Sequence, residues 1–268
     1  MLPNLRKRWA ISWTKKVIDD FGPLLTSWGV AKLLLELRWQ THVSGRDPQR
    51  SVRLPLRTTP PITAWVRPES DDMATLTEIF GLKVYSEALS FVPDCRSILD
   101  LGGNIGLAAL YFSAVYPECR IVSVEPLPAN VLLLEKNLKQ HSAEGRCMAI
   151  QGAVCSEDRA AVELFITPGY WACSSVSGDS QQRVSVRGLC IETLLKTAGL
   201  TGVDLVKMDI EGAETELFKV PGWLSRTRAV AVEFHGNSRA ESGFDDALKA
   251  HGFRIASEGK HTVWAIRT

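Results

Sequence analysis

Residues 97–112 read Ser97-Ile-Leu-Asp100-Leu-Gly102-Gly-Asn104-Ile-Gly106-Leu-Ala-Ala-Leu-Tyr-Phe112, and this stretch decides the fold. Ile98, Leu99 and Leu101 make the short apolar run of a strand covered on both faces. Gly102, Gly103 and Gly106 supply a turn, and an apolar helical run follows from Leu107 to Val115. Strand, glycine turn, helix is how an α/β domain offers backbone N–H groups and a helix N-terminus to a ligand at the carboxyl edge of its sheet.

The spacing narrows the ligand. A dinucleotide fingerprint is G-x-G-x-x-G, and here Asn104 stands where its second glycine would be. Asp100 closes the strand; an acid there repels a pyrophosphate and suits a cationic amine. One strand later, Arg120-Ile-Val-Ser-Val-Glu125-Pro126 again ends in an acid, placed to accept hydrogen bonds from both hydroxyls of a ribose. Two charge-assisted bonds at about 1.5–3 kcal/mol each make such a carboxylate an affinity anchor. Asp-x-Gly-x-Asn-x-Gly resembles motif I of the class I S-adenosylmethionine-dependent methyltransferases.

Two more strand ends carry charge. Leu205, Val206 and Met208 build a buried strand with Lys207, Asp209 and Glu211 at its end, and Gly212 turns the chain into a helix over 213–220. Such charges are costly to desolvate unless they are paired or used. The apolar run 228–232 leads to Glu233-Phe-His235, where alternation puts acid and histidine on one face, toward the same cleft as Asp209. A histidine beside an acid is well suited to taking a proton near neutral pH.

The remaining core pattern is α/β. Helices are expected over 73–80 (capped by Ser70-Asp71-Asp72), 129–141, 190–198 and 244–251, with a short one starting at Tyr85 and Glu87. Strands are expected over 52–56, 62–67, 147–154 and the hairpins 161–166/183–187 and 253–257/262–267. The loop Pro168–Ser175 between the first hairpin's strands is placed to gate an acceptor. Tyr85 reads two ways, over the ligand or in the core.

The 268 residues are 45% hydrophobic and 23% charged, as in an ordinary soluble globular chain. With 31 basic and 30 acidic residues, no field of one sign recruits nucleic acid. Cys95, Cys119, Cys147, Cys155, Cys173 and Cys190 form no C-x-x-C pair, which argues against a zinc site or disulfide scaffold and fits a reducing cytoplasm. No apolar run is long enough to span a membrane, and basic residues interrupt any signal-peptide core. Residues 1–40 hold Trp9, Trp13, Trp28 and Trp39 among basic residues. They read as a helical cap or, alternatively, as a helix lying on a membrane surface or over a lipid-linked substrate. A domain boundary near residue 60 separates this segment (1–60) from the ligand-binding domain (61–268).

Taken together, Asp100–Gly106, Val124-Glu125-Pro126, Lys207-Met-Asp-Ile-Glu-Gly-Ala-Glu214 and Val232-Glu-Phe-His235 resemble the FkbM family of S-adenosylmethionine-dependent methyltransferases. The Lys-x-Asp-x-Glu-Gly-x-Glu block is the most specific of these, and the resemblance covers roughly Trp65 to Thr268. Gly-Gly-Asn stands where the family commonly has Gly-Ala-Asn. The resemblance implies a Rossmann-like α/β fold: a mostly parallel seven-stranded sheet with an antiparallel last strand and helices on both faces, to which the segment read above as an N-terminal helical cap is added. It implies S-adenosyl-L-methionine as cofactor and O-methylation of a hydroxyl on a sugar, glycolipid or natural product. Asp100, Gly102, Asn104 and Gly106 would hold the methionine end and Glu125 the ribose. Gly152 and Ala153, at the end of the third strand, would pass beside the adenine or form an ordinary strand end; Pro126, Asp209 and Tyr85 would also contact the cofactor, and Asp209, Glu211, Glu233 and His235 would line the transfer site. Clustered carboxylates suit a hard cation, but no spacing demands one, and none is assigned. The competing functions are a non-catalytic cofactor-binding or scaffold protein and, less well matched, a nicotinamide oxidoreductase.

Overall fold

Apolar runs that do not alternate must be covered on both faces, and the computed structural model meets that demand with a seven-stranded sheet. The structure describes residues 14–42, 49–166, 173–174, 182–259 and 262–268. The chain divides into two units, Met1–Lys83 and Val84–Thr268.

In the first unit, residues 14–21 and Ser27–His42 are helical, on either side of Gly22-Pro23. Strands β1 (Val52–Pro55) and β2 (Thr63–Val66) pair antiparallel. Residue 60 lies between these paired strands, and the first compact unit runs to Lys83. The helix expected over 73–80 is two pieces, α-helical Asp72–Leu76 and π-helical Thr77–Leu82. Asp72 is no solvent-facing cap residue: its buried carboxylate accepts two 2.8 Å bonds from the Arg67 guanidinium and a third from the Arg67 N–H. Ser70 Oγ accepts the Asp72 N–H at 3.1 Å. Trp28 is exposed, with the Lys32 ammonium 5.7 Å from its ring centre. Trp9 and Trp13 lie outside the described residues, and among those described no helix is long and apolar enough to cross a membrane.

The second unit runs β3 (Ser97–Leu101), β4 (Arg120–Glu125), β5 (Cys147–Gln151), β6 (Ala153–Val154), β7 (Arg159–Ile166), β8 (Cys173–Ser174), β9 (Arg183–Leu189), β10 (Val203–Met208), β11 (Thr227–Glu233), β12 (Phe253–Glu258) and β13 (Thr262–Arg267). The main sheet has the order β12-β13-β11-β10-β3-β4-β5. Pairing is parallel from β11 to β5, and β13 lies antiparallel between β11 and β12. Ile98, Leu99 and Leu101 of β3 and Leu205, Val206 and Met208 of β10 are fully enclosed; each such side chain contributes about 1.5–3 kcal/mol of burial. Chain order reverses between β3 and β10, the kind of switch point where α/β sheets open a ligand crevice.

Two expected elements are broken. The strand over 147–154 stops at Gln151, and β6 joins a second sheet ordered β6-β9-β7-β8. Gly152 sits at the break; a Cβ there would stand 2.7 Å from Leu189 Cδ1. The helix over 213–220 is a single turn, Glu214–Leu217, followed by a 3-10 segment, Pro221–Arg226. Pro221 has no N–H to continue the helical ladder. Conversely, sequence periodicity misses the short helix Ser238–Ser242 after His235.

Candidate active site

The glycine turn after β3 is held by both neighbouring strands. On the β4 side, the Gly102 and Gly103 N–H groups both donate to the Val124 carbonyl, at 3.0 and 2.9 Å. From β10, Lys207 Nζ donates to the Gly102 carbonyl at 2.7 Å. Gly102 has φ +76°, and a Cβ on it would stand 1.7 Å from the Asp209 carbonyl oxygen, so only glycine fits. Asn104 (φ 48°) and Glu211 (φ 53°) also adopt left-handed conformations, at a cost of about 1–3 kcal/mol each. Both line the same cleft.

Glu125 ends β4 buried beneath this turn. Its Oε2 accepts the Asn104 N–H at 2.9 Å, and its Oε1 accepts the Leu127 N–H at 3.0 Å and Asn130 Nδ2 at 3.1 Å. Burial pushes the carboxyl up to about 7, against the pull of these three donors. A carboxylate has about four lone-pair sites, so Oε2 keeps capacity for a further donor. Asn104 Oδ1 is buried with no hydrogen-bond partner among the described residues.

Asp100 is placed differently from the sequence expectation of a direct ligand contact. It is fully enclosed and does not line the cleft. Ser123 Oγ donates to its Oδ2 at 2.8 Å, and Lys207 Nζ stands 3.1 Å from its Oδ1. Burial alone would lower the Lys207 pKa, but Asp100, Tyr85 and Asp209 outweigh it and the ammonium is held charged. Tyr85 is core: its ring centre is 5.2 Å from that of Phe112, and burial raises its hydroxyl pKa. Gly106 (φ +86°) opens the helix Leu107–Val115 against Leu134.

At the ends of β10 and β11 the structure brings together Asp209, Glu211 and His235. His235 Nε2 is 2.9 Å from Asp209 Oδ1, and Nδ1 is 3.6 Å from Glu211 Oε2. The bond to Asp209 raises the imidazole pKa to about 9, opposed by burial and reinforced by Glu211. For Asp209, burial pushes the carboxyl up, but the His235 bond and the Lys207 charge pull it below the ordinary value. Burial raises Glu211, and Glu214, fully enclosed nearby, is raised by the same cause. Each of the three grouped residues offers a ligand atom within 4.8 Å of the others, a spacing compatible with one cation. Glu233, which sequence alternation grouped with His235, is outside that set; it pairs in register with Thr262 at the β11–β13 edge.

One cleft joins the glycine turn, Glu125 and the acids Asp209 and Glu211; His235 is not among its lining residues and adjoins it through Asp209. Gly102, Asn104, Glu125, Pro126, Ala153, Asp209 and Glu211 line it, and it encloses about 830 Å³, open solvent included. Val154, Cys155, Val162 and Leu164 add an apolar wall, with Arg159 and Glu216 paired at 3.2 Å. Sequence reading did not single out these wall residues; the only cue was a hairpin inserted after the third strand. Most of the loop Pro168–Ser175, expected to gate an acceptor, lies outside the described residues: 168–172 and 175.

Residues 100–255 match the family model described as the methyltransferase FkbM domain. A Beauveria bassiana protein named methyltransferase 1 is 30% identical over 165 residues, 53% of this chain and 64% of that protein. The chain thus spans under two thirds of that relative. The 31-O-demethyl-FK506 methyltransferase FkbM of Streptomyces tacrolimicus is 23% identical over 194 residues, 60% of this chain and 74% of that one. Among solved structures, methyltransferase FkbM from Methylobacillus flagellatus KT aligns at 16% identity and TM-score 0.46, covering 65% of this chain and 44% of that chain.

Proposed function

Because this chain belongs to the FkbM methyltransferase family, we propose that it moves the methyl group of S-adenosyl-L-methionine to a hydroxyl oxygen of a sugar, glycolipid or other natural product. The observation that carries this reading is a single cleft with Glu125 and the Asn104 turn at one end and the Asp209–His235 pair beside it. The residues present fit the cofactor. Glu125 Oε2 has capacity for a ribose hydroxyl, the buried and unpartnered Asn104 Oδ1 suits an ammonium N–H, and the apolar wall suits a flat base. Asp100 then acts indirectly, through the turn it supports. The name of the Streptomyces relative points to an O-demethyl acceptor for that protein, which supports a hydroxyl here.

The bound sulfonium supplies the electrophilic methyl carbon. What the protein contributes is alignment, worth about 7–11 kcal/mol when the reacting atoms are held near attack distance, and a place for the proton. In the transfer the hydroxyl oxygen would take the methyl carbon from the cofactor, and the electron pair of the broken carbon–sulfur bond would stay on sulfur. The hydroxyl proton goes to His235 Nδ1. Nε2–H stays on Asp209, which sets the tautomer and stabilises the imidazolium. Calorimetry with S-adenosylhomocysteine and with NADH, followed by mass spectrometry of a hydroxylated acceptor panel, tests the reading. Binding of the homocysteine nucleoside and methyl gain on oxygen are expected. Binding of NADH alone, or methyl gain only on nitrogen or carbon, refutes it.

A further inference from the structure

Lys207 is a cation inside the sheet, 3% exposed, in register with Asp100 on the next strand. Its partners lie at two strand ends: Asp100, the Leu101 carbonyl (3.5 Å) and the Gly102 carbonyl where β3 runs into the turn, and Asp209 just past β10. Nζ donates to the Gly102 carbonyl at 2.7 Å, stands 3.1 Å from Asp100 Oδ1 and 4.0 Å from Asp209 Oδ2. The Gly102 carbonyl belongs to the turn whose next N–H groups are spent on Val124 and Glu125. Asp209 in turn bonds His235.

We propose that Lys207 is a positioning residue: by holding the Gly102 carbonyl inward and neutralising Asp100, it sets the glycine turn in the shape that presents Asn104 and Glu125 to the ligand. A buried ammonium directed at a carbonyl fixes a peptide plane more firmly than a neutral donor would, because charge-assisted bonds are stronger and shorter. The same ammonium lies within reach of Asp209, so one side chain ties the cofactor end of the cleft to the proton-accepting end. Sequence motif alone shows Lys207 as one charge among three at a strand end; its contacts with the turn are a tertiary fact.

The inference rests on the S-adenosylmethionine reading for its ligand, and two readouts separate them. First, S-adenosylhomocysteine affinity is measured by calorimetry on the full chain, alongside kcat at saturating cofactor. Lys207→Met should weaken binding by about tenfold or more, with a smaller fall in kcat through the lost contact with Asp209, and Lys207→Arg should recover the affinity. Unchanged affinity in Lys207→Met overturns the proposal, as does a parallel fall of kcat and affinity in proportion to unfolded protein. If Lys207→Met does not fold, the neutral pair Lys207→Met with Asp100→Asn replaces it, and wild-type affinity in that double variant overturns the proposal. Second, hydrogen exchange at the Gly103 and Asn104 amides needs no ligand. Exchange should quicken about tenfold or more in Lys207→Met, and unchanged exchange overturns the proposal even where wild type fails to bind the homocysteine nucleoside, an outcome that refutes the cofactor reading instead.

Discussion

Asp209→Asn keeps the shape of the side chain and removes the charge that His235 leans on. The 2.9 Å bond to Asp209 is the largest cause lifting His235 from 6.5 to about 9. With a pKa of 9, about 3% of the ring is neutral at pH 7.5, whereas at 6.5 it would be about 90%. The variant therefore carries more free base at pH 7.5, yet its imidazolium has lost its nearest counter-charge, with only Glu211 left beside Nδ1, and proton transfer is slower. These effects oppose each other near neutrality and separate at high pH. In wild type, kcat/KM should climb with pH through about 9. In Asp209→Asn it should level off at a lower pH, so the deficit against wild type widens from pH 7.5 to pH 10. Ring-proton NMR titration of His235 in both proteins gives the midpoints without a substrate. A wild-type midpoint near 6.5, or one near 9 that does not move in Asp209→Asn, would refute the reasoning.

Other expectations are separable. Glu125→Ala should weaken S-adenosylhomocysteine binding by about 10–10²-fold by calorimetry, the worth of the one charge-assisted bond its Oε2 has left to give, at about 1.5–3 kcal/mol; equal affinity counts against the ribose assignment. His235→Ala should leave that affinity intact and lower kcat by about 10²–10⁴-fold, the range of a positioned base. His235 is raised in the folded state, so its share of stability is complete below pH 6.5 and lost as pH rises through about 9. Urea midpoints of wild type should fall across that window, and those of His235→Asn should fall less. In the first unit, Asp72→Ala removes the carboxylate paired with the buried Arg67 guanidinium and should cost about 3–5 kcal/mol by denaturant titration.

The main strands and the glycine turn were legible because their signals are local. Ile98–Leu101 and Leu205–Met208 are apolar without alternation, which suits a strand with both faces covered, and the left-handed Gly102 leaves room for no other residue. Elements that stop for nonlocal reasons were misread. Cys147–Val154 has no internal break in its pattern, and β5 ends where Gly152 meets Leu189 from β9. Ala213–Val220 has helical spacing, yet only Glu214–Leu217 is α-helical.

For the site, the residue types and their strand ends came from the sequence, since a strand end followed by a turn exposes its last side chains whatever lies beside it. Which of those side chains face the cleft could not, because parallel neighbours are set by crossovers. Register places Lys207 opposite Asp100 and so closes that acid away from ligand, while Asp209, a mere two positions further, reaches the cleft and His235. Local order thus dictated strands, turns and the inventory of charged groups. Long-range pairing between β3, β10 and β11 sorted that inventory into internal supports and working groups, because an ion pair forms only where two distant strands bring its halves within about 3–4 Å.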